Sequence, residues 1–263
     1  MKRLTIAAGA LAAALCLAAG TAYAAVKTKV VEYRQGDQKL IGYLAWDDKK
    51  AGKRPGIVIY PEWAGLVDET KRRARLFAQL GYVAFAADIY GDGMQKQPGP
   101  EAGAEAGKYM RDRPLLRQRA AAALDTLRSQ PNVDVAKLIA VGYCFGGGAA
   151  LELARSGAPV AGTAVFHASL GTPTPQDAKN IKGRVVAFHG ADDPLVNLQA
   201  VDAFQKEMKE GGVDYEVVLY GGALHSFTNP SANAPAQGAK YDEKADKRSW
   251  AAVRTFIRET TGR

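Results

Sequence analysis

Cysteine and histidine are scarce in this chain. Its 263 residues include 2 cysteines, Cys16 and Cys144, and 3 histidines, His167, His189 and His225. So few cysteines exclude a multi-bridge disulfide framework, and no C-x-x-C pair exists for dithiol redox chemistry. No His/Cys spacing suits a zinc site, so neither a metal nor an organic cofactor is expected. Beyond the first two dozen residues, no apolar run is long enough to span a bilayer. Lys and Arg outnumber Asp and Glu, 35 to 27, for a net charge of +8. The basic residues are scattered through "KRRAR", "RDRPLLRQR" and "KADKR", beside acids and without interleaved aromatics. That is the pattern of solvated helix faces, not of a nucleic-acid surface. The charge leaves room only for a mild preference for anionic substrates.

The N-terminus has a different character. "MKRLTIAAGALAAALCLAAGTAYA" opens with Lys2 and Arg3, continues as an apolar run and ends in Ala22-Tyr23-Ala24. This is the layout of a secretory signal peptide with an A-x-A site, and the run is short for a membrane span. Leu15 before Cys16 is too bulky for a lipoprotein site. Cleavage after Ala24 is expected, leaving a periplasmic or secreted chain of residues 25–263 with Cys144 as its sole thiol. In an oxidising compartment a lone thiol is either put to use or buried as a small hydrophobe.

The remainder reads as one domain. "VKTKVVEY" and "KLIGYLAW" alternate like a hairpin turning at Arg34-Gln35-Gly36-Asp37. Buried strands then alternate with amphipathic helices. "GIVIYP", "YVAFAAD", "KLIAVGYC", "GTAVFHA", "RVVAFHG" and "YEVVLY" are the strands. Helices are predicted over "VDETKRRARLFAQLG", from about Ala104 to Ser129 with a break at Pro114, from Phe145, over "LQAVDAFQKEMKEGG", and at the C-terminus with Trp250, Val253 and Ile257 on one face. Near-continuous apolar strands between helices imply an α/β fold, a mostly parallel sheet covered on both faces. The stretch 229–247 reads as a mobile loop.

"GYCFGG" at 142–147 follows an apolar strand and opens a helix, the context of a nucleophile elbow, with Cys144 in the nucleophile's place. Gly142 and Gly146 permit strand and helix to approach closely. The helix N-terminus favours thiolate at the sulfur. In such folds an acid and then a histidine follow the nucleophile in the chain. "HGADDPLV" offers Asp193, preferred over Asp192 because the Asp-Pro-x-Val run starts at it, and "GGALHSF" offers His225. His189 reads as structural, and His167, at a strand end, as a residue lining the substrate pocket. The oxyanion hole is expected from the amides of Phe145 and Trp63, with Trp63 also walling the pocket.

Taken in order, "YPEWAGL", "ADIYG", "VGYCFGG", "HGADDPLV" and "LHSF" resemble the dienelactone hydrolase family of the α/β-hydrolase superfamily, over nearly the whole mature chain. The resemblance implies an α/β-hydrolase fold and a Cys-His-Asp triad of Cys144, His225 and Asp193. It also implies that Glu62 contacts the resting thiol and keeps the sulfur protonated until substrate displaces it. The expected activity is cleavage of a small-molecule carboxylic ester or lactone through a thioester. A peptidase or amidase on the same triad, or a non-catalytic periplasmic binding protein of this fold, are the alternatives. One departure from the family pattern concerns substrate. Dienelactone-cleaving members use two arginines to hold a carboxylate, one just after the histidine. Here "HSFTNPSANA" has none, and which of Arg111, Arg113 or Arg117 supplies the other is left open.

Overall fold

A computed structural model of the protein describes residues 26–262; the expected signal peptide lies outside the described residues. The chain begins with the hairpin β1 (Val26–Gln35) and β2 (Gln38–Asp47), in antiparallel register from Val26↔Asp47 to Gln35↔Gln38. Then come β3 (Arg54–Tyr60), α1 (Asp68–Gln79), β4 (Val83–Ala86), α2 (Pro100–Arg111), α3 (Arg113–Arg128), β5 (Val133–Tyr143) and α4 (Phe145–Arg155). The second half holds β6 (Gly162–Phe166), β7 (Arg184–Gly190), α5 (Leu198–Glu210), β8 (Tyr215–Tyr220), the short strands β9 (Asn233–Ala234) and β10 (Ala239–Lys240), and α6 (Glu243–Thr261).

The main sheet has 8 strands in the order β1-β2-β4-β3-β5-β6-β7-β8. From β4 to β8 every neighbour is parallel; β1 and β2 form an antiparallel edge. The central strands are apolar on both faces because both faces are covered. In β3, Val58 and Tyr60 face the layer that includes Leu116, Leu124, Leu153 and Phe204, while Ile57 and Ile59 face Phe77, Val253 and Ile257 on α1 and α6. Two-residue alternation along one strand thus feeds two cores. Val253 and Ile257 are buried, and the Trp250 ring packs 4.8 Å from Phe77. Among the described residues no helix is long and apolar enough to cross a membrane.

Two expectations need correction. The Ala-rich helix is broken as expected, but at Asp112 rather than at Pro114, and it starts at Pro100 rather than near Ala104. Asp112 interrupts it, its carboxylate capping α3 by accepting from the Leu115 amide at 3.0 Å, and Pro114 sits harmlessly in the first turn. The stretch 229–247 is not one irregular loop. It contains the β9–β10 hairpin, closed by a 3₁₀ turn at Pro235–Gln237, and the first turn of α6. Two-residue strands are too short for periodicity to register, so composition alone reads as loop.

Candidate active site

The site gathers at the C-terminal ends of the parallel strands. β5 ends at Tyr143 and α4 begins at Phe145, so Cys144 occupies a one-residue elbow with φ +53 and ψ −118. That is strained backbone for a residue with a Cβ. The turn is possible because its neighbours lack side chains. A Cβ on Gly142 would lie 2.1 Å from the Gly146 carbonyl oxygen, and one on Gly146 would lie 2.2 Å from the Tyr60 carbonyl oxygen. Strand, elbow and β3 are therefore in backbone contact, and the half-buried sulfur is lifted off the sheet.

His225 lies on the loop after β8 and Asp193 on the loop after β7. His225 Nε2 is 3.1 Å from Cys144 Sγ, and His225 Nδ1 is 2.7 Å from Asp193 Oδ2. Asp193 Oδ1 accepts from the amides of Leu195 (2.8 Å) and Val196 (3.0 Å), which fixes the carboxylate in its own turn. Asp192 is exposed. His189 donates Nε2–H to the Val196 carbonyl at 2.7 Å, bracing the acid's loop from below. Burial depresses the His189 imidazole below its ordinary value, although Val196 and Asp193 pull the other way.

Electrostatics follow from this chain of contacts. Burial would lower the His225 imidazole, but the Cys144 sulfur and the Asp193 carboxylate outweigh it, and the ring is pushed up to about 10. Burial would raise the Asp193 carboxyl; the hydrogen bond from His225 outweighs that and holds it below the usual range. The arrangement stabilises a protonated ring between an acid and a sulfur.

Phe145 and Trp63 both present main-chain N–H groups without a hydrogen-bond partner among the described residues. Phe145 is the first residue of α4, where an unpaired amide is inherent to the helix end. Trp63 sits on the β3–α1 loop, its carbonyl accepting from Tyr90 Oη at 2.7 Å. Glu62, its neighbour, is turned to Asn229, whose Nδ2 donates to Glu62 Oε2 at 3.1 Å. Desolvation of the Glu62 carboxyl raises its pKa against the effect of Asn229 and His225. Among the described residues no hydrogen bond joins Glu62 to the thiol: Asn229 donates to the carboxylate and His225 Nε2 faces the sulfur.

His167 lies behind the imidazole of His225. It is fully buried; its Nε2 meets Thr228 Oγ1 at 2.9 Å and its ring packs edge-on at 5.2 Å from His225. Its imidazole is depressed well below the ordinary value, chiefly by burial. It backs the ring of His225. A cavity of about 710 Å³ opens beside Glu62 and Trp63, with Arg73, Tyr143, Ser226 and Asn229 in its wall. Tyr143 and Ser226 are the chain neighbours of Cys144 and His225.

Sequence reasoning missed Arg73. This buried α1 residue donates to Glu69 (2.9 Å), to Asp246 (3.4 Å) and to the Thr228 carbonyl, and lies over the Tyr143 ring. Its signal was hidden inside the basic run "KRRAR", where spacing does not tell a buried guanidinium from exposed ones. Of the three other candidate arginines, Arg117 is committed to Glu152 (2.8 Å) and Asp177 (2.7 Å), and Arg113 to Glu152 (3.7 Å) and the Gly171 carbonyl (3.3 Å). Arg111 is exposed.

A mostly parallel sheet with an elbow cysteine, and an acid and a histidine on later loops, defines an α/β-hydrolase. Comparison with known proteins gives the family. The profile of the dienelactone hydrolase family matches residues 40–261, and the chain belongs to that family; it is a hydrolase acting on ester or lactone bonds. Its structure is similar to that of m3DLH, at 44% identity and TM-score 0.87 over 90% of this chain and 99% of that one. It is also similar to a dienelactone hydrolase-like promiscuous phosphotriesterase from metagenomic libraries, at 41% identity and TM-score 0.85 over 89% and 98%. Protein usf of Aquifex pyrophilus is 30% identical over 211 residues, 76% of this chain and 87% of that protein.

Proposed function

We propose that this chain hydrolyses an uncharged carboxylic ester or lactone with Cys144 as nucleophile, His225 as general base and acid, and Asp193 as the group that orients His225. The observation that carries the reading is that both nitrogens of one imidazole are engaged, one by the sulfur and one by the carboxylate. With the thiol proton already held on His225 Nε2, the sulfur bonds to the carbonyl carbon as thiolate. The amides of Phe145 and Trp63 receive the oxyanion. The tetrahedral adduct collapses with loss of the alkoxide, which His225 protonates. Water, giving its proton to His225, then attacks the thioester, and the sulfur leaves to be reprotonated.

The substrate class rests on cations that are already committed. Arg113 and Arg117 are paired within the fold, and Arg73 in the cavity wall is paired with two acids, so none of these three guanidiniums is free to clamp a substrate carboxylate. Burial raises the Glu62 carboxyl above its ordinary range, and its ionised form would disfavour thiolate at Cys144. Phosphotriesters are a second uncharged class, favoured by the likeness to the metagenomic phosphotriesterase. We further propose export of residues 25–263, on the composition of the leader.

The test is a panel of p-nitrophenyl esters, lactones, a phosphotriester and peptide amides, run on the wild type and Cys144→Ala. Turnover of neutral esters or lactones that the variant lacks supports the reading. Cleavage of the peptide amides alone would favour the peptidase alternative, and absence of all turnover the binding protein.

A further inference from the structure

The base is anchored through its main chain as well as its ring. The His225 amide donates to the Gly238 carbonyl at 3.0 Å, and the His225 carbonyl accepts from the Lys240 amide at 3.0 Å, a parallel bridge centred on Ala239. Both partners belong to the end of the β9–β10 hairpin. On its other side the loop reaches His225 through Gly221 and Gly222, neither of which touches anything with the place of its missing side chain. A glycine pair transmits little restraint from β8. Ala223, between this pair and His225, accepts from the Asp192 amide at 3.2 Å, and the hairpin is the second hold on the histidine's α-carbon.

The same hairpin touches the acid's loop. Gly238 has φ +79, left-handed, and closes the 3₁₀ turn by donating to the Pro235 carbonyl at 2.9 Å. A Cβ placed on it would lie 2.4 Å from Pro194 Cγ and 3.0 Å from Pro194 Cδ. Pro194 directly follows Asp193. One residue thus holds the base by its carbonyl and abuts the acid's neighbour with its bare α-carbon.

We propose that Gly238 is a positioning residue, setting the separation of His225 and Asp193 and thereby the reach of His225 to Cys144. The proposal rests on the triad reading above. Its physical basis is that the ring is tied at both ends, at 2.7 Å and 3.1 Å. Moving its α-carbon by a few tenths of an ångström must lengthen one of the two contacts, and misplacement on that scale slows catalysis without abolishing binding.

The test uses the whole chain, with p-nitrophenyl butyrate as substrate. Gly238→Ala lowers kcat at least tenfold with KM within about twofold, and moves the acid limb of the pH–rate profile. Gly212→Ala is the control for backbone strain alone: it has φ +68, no atom within 4 Å of its added methyl, and keeps wild-type kcat. Combining Gly238→Ala with Pro194→Ala removes the struck ring atoms and recovers at least threefold of the lost kcat. Should Gly238→Ala not fold, Lys240→Pro deletes the donor to the His225 carbonyl and lowers kcat in the same way. Wild-type kcat and pH profile in a folded Gly238 or Lys240 variant overturn the proposal, as does an equal loss with and without Pro194. Cys144→Ala, assayed alongside, separates the two levels. If it is inactive while Gly238→Ala is normal, only the positioning role falls; if it retains turnover, the triad reading falls with it.

Discussion

Asp193 Oδ2 stands 2.7 Å from His225 Nδ1, while Asp193 Oδ1 accepts two amides from its own turn. The carboxylate is thereby fixed before the histidine arrives, and it dictates which ring nitrogen carries the proton that faces it. Asp193→Asn replaces an acceptor with a group that can also donate, allowing the wrong tautomer. Ester hydrolysis is expected to drop by about 10²–10⁴ in kcat with KM little changed, an effect of the size known for the equivalent change in a serine triad. Steady-state kinetics check it.

The shifted groups also set how stability follows pH. His225 is raised to about 10 from 6.5, so its contribution is complete below about 6.5 and is lost as pH rises through about 10. Asp193 is lowered from 3.8, so its contribution is present above about 3.8 and is lost as pH falls below it. Urea midpoints measured from pH 3 to 11 should decline on both sides. In His225→Gln the alkaline decline should be shallower than in the wild type; an identical alkaline limb would remove His225 as its cause.

The elbow stores strain at Cys144, with φ +53. Cys144→Ala and Cys144→Gly both delete the sulfur, but only glycine accepts that backbone without penalty. Cys144→Gly should therefore be more stable than Cys144→Ala by about 1 kcal/mol, within the range for relief of a strained residue. Denaturant titration with unchanged m-values decides it.

Glu62 is the residue whose role the geometry changes most. Because Asn229 rather than the thiol holds it, Glu62→Gln should leave the fold intact and quicken alkylation of Cys144 by iodoacetamide, through loss of a nearby ionisable acid. Asn229→Ala, which removes the group opposing the rise in Glu62 pKa, should slow ionisation of Glu62 toward higher pH and shift the alkylation profile with it. Alkylation rates unaffected by either change would leave Glu62 as a wall of the cavity only.

The sheet was legible because its strands are long, apolar on both faces and separated by helices with a clear period; β3, β5 and β7 could be read directly. The cluster of Cys144, Asp193 and His225 was legible because each follows its own strand in the order such folds use. What stayed hidden depends on contacts between distant segments. Arg73 is folded into a basic run, and its partners Asp246 and Thr228 lie more than 150 positions away. The β9–β10 hairpin has two-residue strands, and its hold on His225 is made by main-chain atoms, which carry no sequence signal. His167 sits at a strand end, where its own backbone takes φ +37 and its ring packs edge-on against His225, a contact that no local pattern announces.

The most direct test of the central claim is intact-protein mass spectrometry during turnover of a slowly deacylating ester, with peptide mapping of the modified site. An acyl adduct on Cys144 that forms and decays at the turnover rate, and is absent in Cys144→Ala together with all hydrolysis, is the predicted result. Undiminished hydrolysis in Cys144→Ala, or an adduct on another residue, would contradict it.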